Sequence, residues 1–305
     1  MIQIDATVAW WEIGERHIGG SRSGAVCGVN PYQSVYATAV ELKQGAKEPT
    51  EQGKAIMGMG THLEPYIVSL LEKKIRRQIF TPEVTFVDDE YRFLIAHIDG
   101  CFIDENGDQV LVECKYSRYG FDEIPAYYKY QINHYMGICK FKYCLLVMMD
   151  GSGMIKVFRE DFDPELWQHQ RKTCVEFWQR YIEGDEMPEA DGSDSSSETL
   201  RNLYPDSNET TADACKEVED YLQELTALKA ENKEANQRQK ELENKIKQYM
   251  GENSFYVSPK YGTVSYKKTK DTVKWKALSK VELTDEERKK FTETKSGYRV
   301  FKITT

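Results

Sequence analysis

The feature that most constrains this chain is a pair of apolar, β-forming runs on either side of Asn106 and Gly107: YRFLIAHIDGCFI at residues 91–103 and QVLVECKY at residues 109–116. An Asn-Gly pair between such runs predicts two antiparallel strands closed by a primed turn. Alternation along the second strand puts Glu113 and Lys115 on one face and turns Cys114 to the other, into apolar packing. On the first strand Asp99 precedes Gly100, where a strand can bend and a backbone can approach another group closely.

A carboxylate on one strand and Glu-x-Lys on its neighbour is an arrangement suited to phosphodiester hydrolysis. Asp99 and Glu113 offer hard oxygen ligands to Mg²⁺ or Mn²⁺, with the main-chain carbonyl of Cys114 as a further ligand. Lys115 would hold or activate the attacking water and offset charge on the phosphate. Glu-x-Lys by itself also describes an exposed charge pair on a solvated face. The Asp-Gly on the partner strand, an apolar pattern that would bury the floor of the site, and an acidic helix upstream favour the site.

Downstream, residues 143–149 read as a buried strand, 150–153 as a turn, 154–159 as its partner, and 164–183 as a helix opened by Pro164. The order helix, strand, strand, helix, strand, strand, helix predicts an α/β fold, a central mixed sheet flanked by helices with the site at its edge.

With 305 residues, 40% of them hydrophobic, the chain can bury one sizeable core and carry a smaller appended unit. Residues 1–182 are read as the α/β domain and 183–211 as an acidic linker, because EGDEMPEADGSDSSSET at 183–199 holds seven acidic residues and no basic one. A heptad-like pattern (Val218, Tyr221, Leu225, Leu228, Asn232, Ala235, Gln239, Leu242, Ile246, Tyr249) predicts a helix within 212–250, either docked on its own chain or paired with another. Residues 251–305 read as a small α+β module with a helical stretch near 284–291. From residue 254 onward it has thirteen Lys and Arg against six Asp and Glu, a net +7 that leaves −16 on the preceding residues. Its interleaved Tyr256, Tyr261, Tyr266, Trp275 and Tyr298 would serve either a single-stranded nucleic-acid platform or the core of a tiny domain.

The net charge of −9 argues against nonspecific coating of DNA, yet a local channel can coexist with an acidic exterior. Seven scattered cysteines, without C-x-x-C pairs, read as reduced core residues and disfavour a zinc ribbon or an iron–sulfur cluster. The absence of a membrane-length apolar run leads us to expect a soluble, cytoplasmic protein. The Trp10-Trp11 pair would stack on a base or anchor the first helix.

Ile98-Asp99-Gly100, then Val112-Glu113-Cys114-Lys115, then Gln131 within YKYQINHY at 128–135, resemble the succession in the YqaJ-like viral recombinases and the lambda exonuclease group of the PD-(D/E)XK nucleases. GMGTHLE at 58–64 resembles that family's Gly-containing helix with a site glutamate. IGGS at 18–21 and CGVNPY at 27–32 resemble its N-terminal Ser-containing helix and the loop after it. The resemblance spans residues 10–181.

It implies a PD-(D/E)XK core in which Glu64 joins Asp99 and Glu113 around what are expected to be two Mg²⁺ or Mn²⁺ ions, and Gln131 contacts the site with Tyr135 one turn on. It further implies a 5′-to-3′ exonuclease on linear double-stranded DNA, encoded by a phage or prophage in a bacterial host. The product would be 3′ single strands for an annealing protein, and the assembly a ring-shaped trimer. Arg16 and Ser21 become candidates for the 5′-terminal phosphate, with Arg22 a rival, since the Arg-to-Ser spacing is shorter than in lambda exonuclease. Ser21 would otherwise be a helix N-cap. The alternatives are a structure-specific endonuclease of the same superfamily and a non-catalytic DNA or protein adaptor.

Overall fold

A computed structural model describes residues 7–8, 16–45, 50–207 and 210–267. The chain divides into two compact units, Met1–Pro205 and Asp206–Thr305. Trp10, Trp11, Trp275, Tyr298 and the helix expected near 284–291 lie outside the described residues.

The first unit runs β1 (Thr7–Val8), α1 (Gly20–Val26), α2 (Val35–Gln44), α3 (Glu51–Ile75), β2 (Thr85–Val87), β3 (Ile95–Ala96), β4 (Gly100–Ile103), β5 (Gln109–Ser117), α4 (Ala126–Cys139), β6 (Tyr143–Asp150), β7 (Ile155–Asp161), α5 (Pro164–Phe177), a π-helical turn (Trp178–Glu183) and α6 (Asp194–Leu203). The main sheet has the order β4-β5-β6-β7, and β1-β2-β3 form a smaller one. Strand β5 pairs antiparallel with β4 and parallel with β6, while β6 and β7 are antiparallel. The parallel step needs a crossover, and α4 supplies it. This is the expected α/β fold, a central mixed sheet flanked by helices.

The β4–β5 hairpin forms with Gly100 opposite Val112 and Ile103 opposite Gln109. Its turn differs from the expected primed one. A primed turn with Asn106 and Gly107 at its centre needs positive φ at both, but among the described residues only Arg76 and Lys140 combine a side chain with positive φ, and Gly107 takes the left-handed conformation alone at φ 85°. The reason lies one step earlier. The Asp104 carboxylate accepts from the Asn106 and Asp108 N–H groups at 2.8 and 2.9 Å, and its carbonyl accepts from Gly107 N at 3.2 Å. The side-chain acceptor favours a longer, Asp-capped turn.

Strand alternation sorts the core. Val110, Val112 and Cys114 pack with Ile67, Val68 and Leu71 of α3 on one face, whereas Leu111 packs with Ile132 and Met136 of α4 on the other. Glu113 and Lys115 share the parity of Leu111 and therefore face α4. Helix α1 lies hard against α4. A Cβ at Gly20 would stand 2.6 Å from the Tyr135 ring and 2.7 Å from Gln131 Cγ, so glycine permits the approach. Helix α4 is further fixed by fully buried His134, whose Nε2 faces the Ile95 carbonyl at 3.0 Å and acts as the donor there.

Residues 183–211, expected to be a linker, are in large part structured. Helix α6 falls inside them, and the division between units comes after Pro205. The serines and acids that resemble linker composition are used as caps and contacts. Asp191 accepts from Ser193 and Ser196, the Ser193 side chain caps Ser196 N, and Ser196 Oγ, its own proton given to Asp191, accepts from the buried Ser34 hydroxyl at 2.9 Å. Lys43 of α2 donates to the carbonyls of Gly184 and Glu186. Composition could not separate a solvated acidic run from one whose polar groups find partners in the fold.

In the second unit, the heptad-patterned segment is one 35-residue helix, α7 (Lys216–Met250), followed by a hairpin of β8 (Phe255–Ser258) and β9 (Gly262–Ser265). Its Val218, Tyr221, Leu228, Leu242 and Ile246 are exposed, as are Tyr256, Tyr261 and Tyr266. Among the described residues these tyrosines are therefore not a core.

The docking of α6 predicts unequal effects of two truncations. A chain ended after Pro205 should unfold cooperatively in urea, while one ended after Gly184 should lose about 2 kcal/mol or more relative to it, because Ser34 loses its partners and the α2 surface its cover. Equal unfolding midpoints for the two would show that α6 contributes nothing to the unit.

Candidate active site

Strand β5 carries the centre of the site. The Glu113 side chain is buried, and its Oε1 accepts from Lys115 Nζ at 2.7 Å and from Gln131 Nε2 at 2.9 Å. Gln131 also donates to the Tyr135 hydroxyl at 3.2 Å, so α4 supports the carboxylate through a carboxamide that is itself held. Lys115 Nζ lies 5.0 Å from the centroid of the Tyr128 ring. Asp99, just before β4, accepts from the Cys114 N–H at 2.7 Å. A strand residue directs its N–H and C=O to the same side, so the Cys114 carbonyl faces the Asp99 side too, while its side chain is buried on the opposite face as expected.

Glu64 belongs to the same electrostatic cluster from α3, where it immediately precedes Pro65. Burial, and then the charge of Asp99, push its pKa up to about 6 against the opposing effect of Lys115. Burial and Asp99 likewise push Glu113 up to about 8, and burial raises Asp99. Burial opposes the charge on Lys115, but Glu113 and Asp99 outweigh it and hold the ammonium well above its ordinary value. Three carboxylates thus share one ammonium, and like charges that cannot be solvated bind protons instead.

Two observations fit a divalent cation here. Glu113 Oε2 is buried and has no hydrogen-bond partner, and the carboxylates exceed the single lysine by two charges, all on hard oxygen donors. Among the described residues no three His, Cys, Asp or Glu side chains already converge as a ligand set. The fit therefore rests on charge and on the orphaned oxygen.

Of the expected phosphate-binding residues, Ser21 alone borders this region. It lines a cleft of about 360 Å³ with Asn30, Tyr32, Tyr127, Tyr128 and Gln131. It is not an N-cap, since Gly19 holds that position in α1. Arg22 is engaged elsewhere, in an ion pair with Glu41 and a hydrogen bond to the His17 carbonyl. Arg16 is exposed and reaches the Lys43 carbonyl at 3.5 Å. Neither guanidinium lines the cleft, so the structure does not bring Ser21 and an arginine together there. Tyr135 is buried behind Gln131 and supports it without being open to a large ligand. His97 shares the parity of Asp99 but hydrogen-bonds Thr85.

Sequence reasoning placed Asn30, Tyr32 and Tyr128 only within the motifs that carry the resemblance, without giving them a role, and passed over Tyr127. Their signal was the tyrosine-rich start of α4 and the Asn-Pro-Tyr loop, which could be recognised together only once α1 and α4 were seen to touch.

Residues 9–142 match the family model of the YqaJ-like viral recombinase domain. The chain is 26% identical over 250 residues to the uncharacterized protein YqaJ of Bacillus subtilis (strain 168), covering 79% of this chain and 77% of that one. Among solved structures it is similar to the alkaline exonuclease LHK-Exo of Laribacter hongkongensis, at 14% identity and a TM-score of 0.45, over 57% of this chain and 92% of that one. A phage-related exonuclease from Haemophilus somnus 129PT is similar at 12% identity and a TM-score of 0.42, over 56% and 95%.

The charge crowding predicts a pH-dependent effect of Glu113→Gln. Glu113 ionises near its ordinary value of 4.5 when unfolded and at about 8 when folded, so between these the folded state holds the extra proton. Its contribution to stability then falls as pH rises, by up to about 1.4 kcal/mol per unit. Glutamine has no such loss. In chelator, the stability of the variant relative to the unsubstituted chain should climb from pH 5 to 8 in urea unfolding, whatever the offset at pH 5. Parallel profiles would remove the case for a strained carboxylate.

Proposed function

We propose that this chain, whose residues 9–142 carry a YqaJ-like viral recombinase domain, is a metal-dependent deoxyribonuclease that digests linear double-stranded DNA as a 5′-to-3′ exonuclease. The observation that carries the reading is the buried Glu113–Lys115 pair at 2.7 Å, crowded by Asp99 and Glu64, with Glu113 Oε2 unpartnered. The 3′ single strands left behind, their use by an annealing protein and a ring-shaped trimer around DNA are carried over from the resemblance to the lambda exonuclease group. A ring would retain DNA by topology, which suits a chain of net charge −9.

Glu64, Asp99, Glu113 and the Cys114 carbonyl are the residues that would hold the ions. Mg²⁺ or Mn²⁺ would supply Lewis-acid polarisation of the phosphate and positive charge against the negative charge that develops there. The rest follows from the side chains. Because its carboxylate neighbours keep Lys115 an ammonium, it donates hydrogen bonds and takes no proton; its part is to orient the attacking water and stabilise the transition state. The proton released by that water passes to solvent or to a carboxylate oxygen of the cluster, since Lys115 is already protonated. Gln131 and Tyr135 are positioning residues: they fix which Glu113 oxygen pairs with Lys115 and leave the other free.

The test is an end-labelled linear duplex with Mg²⁺, beside a covalently closed circle. Release from the 5′ end of linear DNA alone is expected, and cutting of the circle would move the assignment to an endonuclease. Glu113→Ala and Asp99→Asn should abolish hydrolysis and divalent-ion binding in a chain that still folds. Lys115→Ala should keep much of the ion binding and lose about a hundredfold or more in turnover. Hydrolysis that survives Glu113→Ala would end the proposal.

A further inference from the structure

The cleft bordered by Ser21 was expected to serve a phosphate, yet its lining is of another kind. No charged side chain among the described residues lines it; its walls are tyrosines, one phenylalanine, carboxamides and serine hydroxyls. Phosphate sites commonly use cationic forks, and no guanidinium or ammonium among the described residues lines this cleft. What aromatic faces flanked by carboxamides do suit is a nucleobase, which stacks by its π-face and hydrogen-bonds at its edge.

We infer that this cleft is a base-accepting subsite, taking a single nucleobase of the strand being cut against Tyr32 and Tyr127 while the phosphate stays beside Lys115. The inference rests on the nuclease reading above and deepens it. At about 360 Å³ the cleft has room for one base with its sugar and none for a duplex. Tyr32 is 75% exposed, a large ring displayed at the lip, and stands edge-on to Tyr127 with centroids 5.7 Å apart. The loop that displays it is braced, because Asn30 Oδ1 accepts from Tyr32 N at 2.9 Å.

The cleft is also continuous with the reacting centre. Gln131 lines it while donating to Glu113, and Tyr128 lines it beneath the Lys115 ammonium. A base seated there would be one hydrogen-bonded residue away from the carboxylate. The edge partners are complementary as well. Asn30 has its oxygen engaged and its NH₂ left to donate, while Gln131 has its NH₂ engaged and its Oε1 left to accept. Stacking tolerates any base, which is what processive digestion of arbitrary sequence requires.

The experiment uses the full chain and 5′-phosphorylated linear duplexes carrying an abasic tetrahydrofuran residue at the first, second or third nucleotide from the 5′ end. At one of these positions hydrolysis should slow about tenfold relative to an intact end. Tyr32→Ala should slow intact ends by a similar factor and erase the difference between intact and abasic ends, and Tyr32→Phe should retain that difference. Saturation-transfer NMR in the absence of metal adds a readout that needs no hydrolysis. The base protons of thymidine should receive saturation from the protein, 2-deoxyribose 5-phosphate should receive little, and Tyr32→Ala should lose the thymidine signal. Active protein that treats intact and abasic ends alike at all three positions would overturn the subsite and leave the nuclease reading standing. Thymidine saturation that depends on Tyr32, in a protein that hydrolyses no DNA, would uphold base binding in the cleft and overturn the nuclease reading, and with it the assignment of that base to a strand being cut. Thymidine saturation equal in the unsubstituted chain and Tyr32→Ala would overturn the subsite whatever the activity.

Discussion

The Glu113–Lys115 pair is an expensive interaction, and much of the first unit is arranged around it. Taking two charges out of water costs several kcal/mol per ion, and attraction within the pair offsets this only when the remaining hydrogen-bonding capacity is met. Here it is met for one oxygen and not for the other. A site left so unbalanced holds its geometry because rigid elements impose it: β5 is paired on both sides, α4 supplies Gln131, and Tyr135 steadies Gln131 from the next turn.

The same constraint reaches helix α1. Gln131 and Tyr135 sit where they do because Gly20 presents no Cβ to them, so a residue with no chemistry of its own sets how closely the N-terminal helix can approach the carboxylate. That approach also brings Ser21 and the Asn30–Tyr32 loop onto the tyrosines of α4 and forms the cleft. Fold and site are therefore coupled through one helix contact. The charged cluster and the neutral cleft meet at Gln131, which belongs to both.

Arg22 and α6 show how partners elsewhere in the chain redirect residues that look functional or idle. Arg22 has the charge and shape for a phosphate, but Glu41, nineteen residues away, takes it up. Ser196 lies in an acidic run with the composition of a linker, but Ser34, 162 residues away, makes it part of a folded surface. In both cases the amino-acid type describes a capacity, and a distant partner decides its use.

What the sequence by itself determined is whatever depends on neighbours along the chain. Period-two alternation set Glu113 and Lys115 on one face with Cys114 on the other, and the order of helices and strands specified the main sheet; the apolar runs specified its hairpin, although residues 91–103, read as one strand, split between β3 of the small sheet and β4 of the main one with Asp99 between them. The turn was nearly legible, and failed only because the Asp104 carboxylate outcompeted the preference of Asn106 and Gly107. Tertiary structure alone decided the burial that strains Glu113, the engagement of Arg22, the docking of α6 and the joining of Tyr32 with Tyr127 in one cleft. Each of these depends on distances and solvent exclusion between segments far apart in sequence, and local pattern carries no information about either.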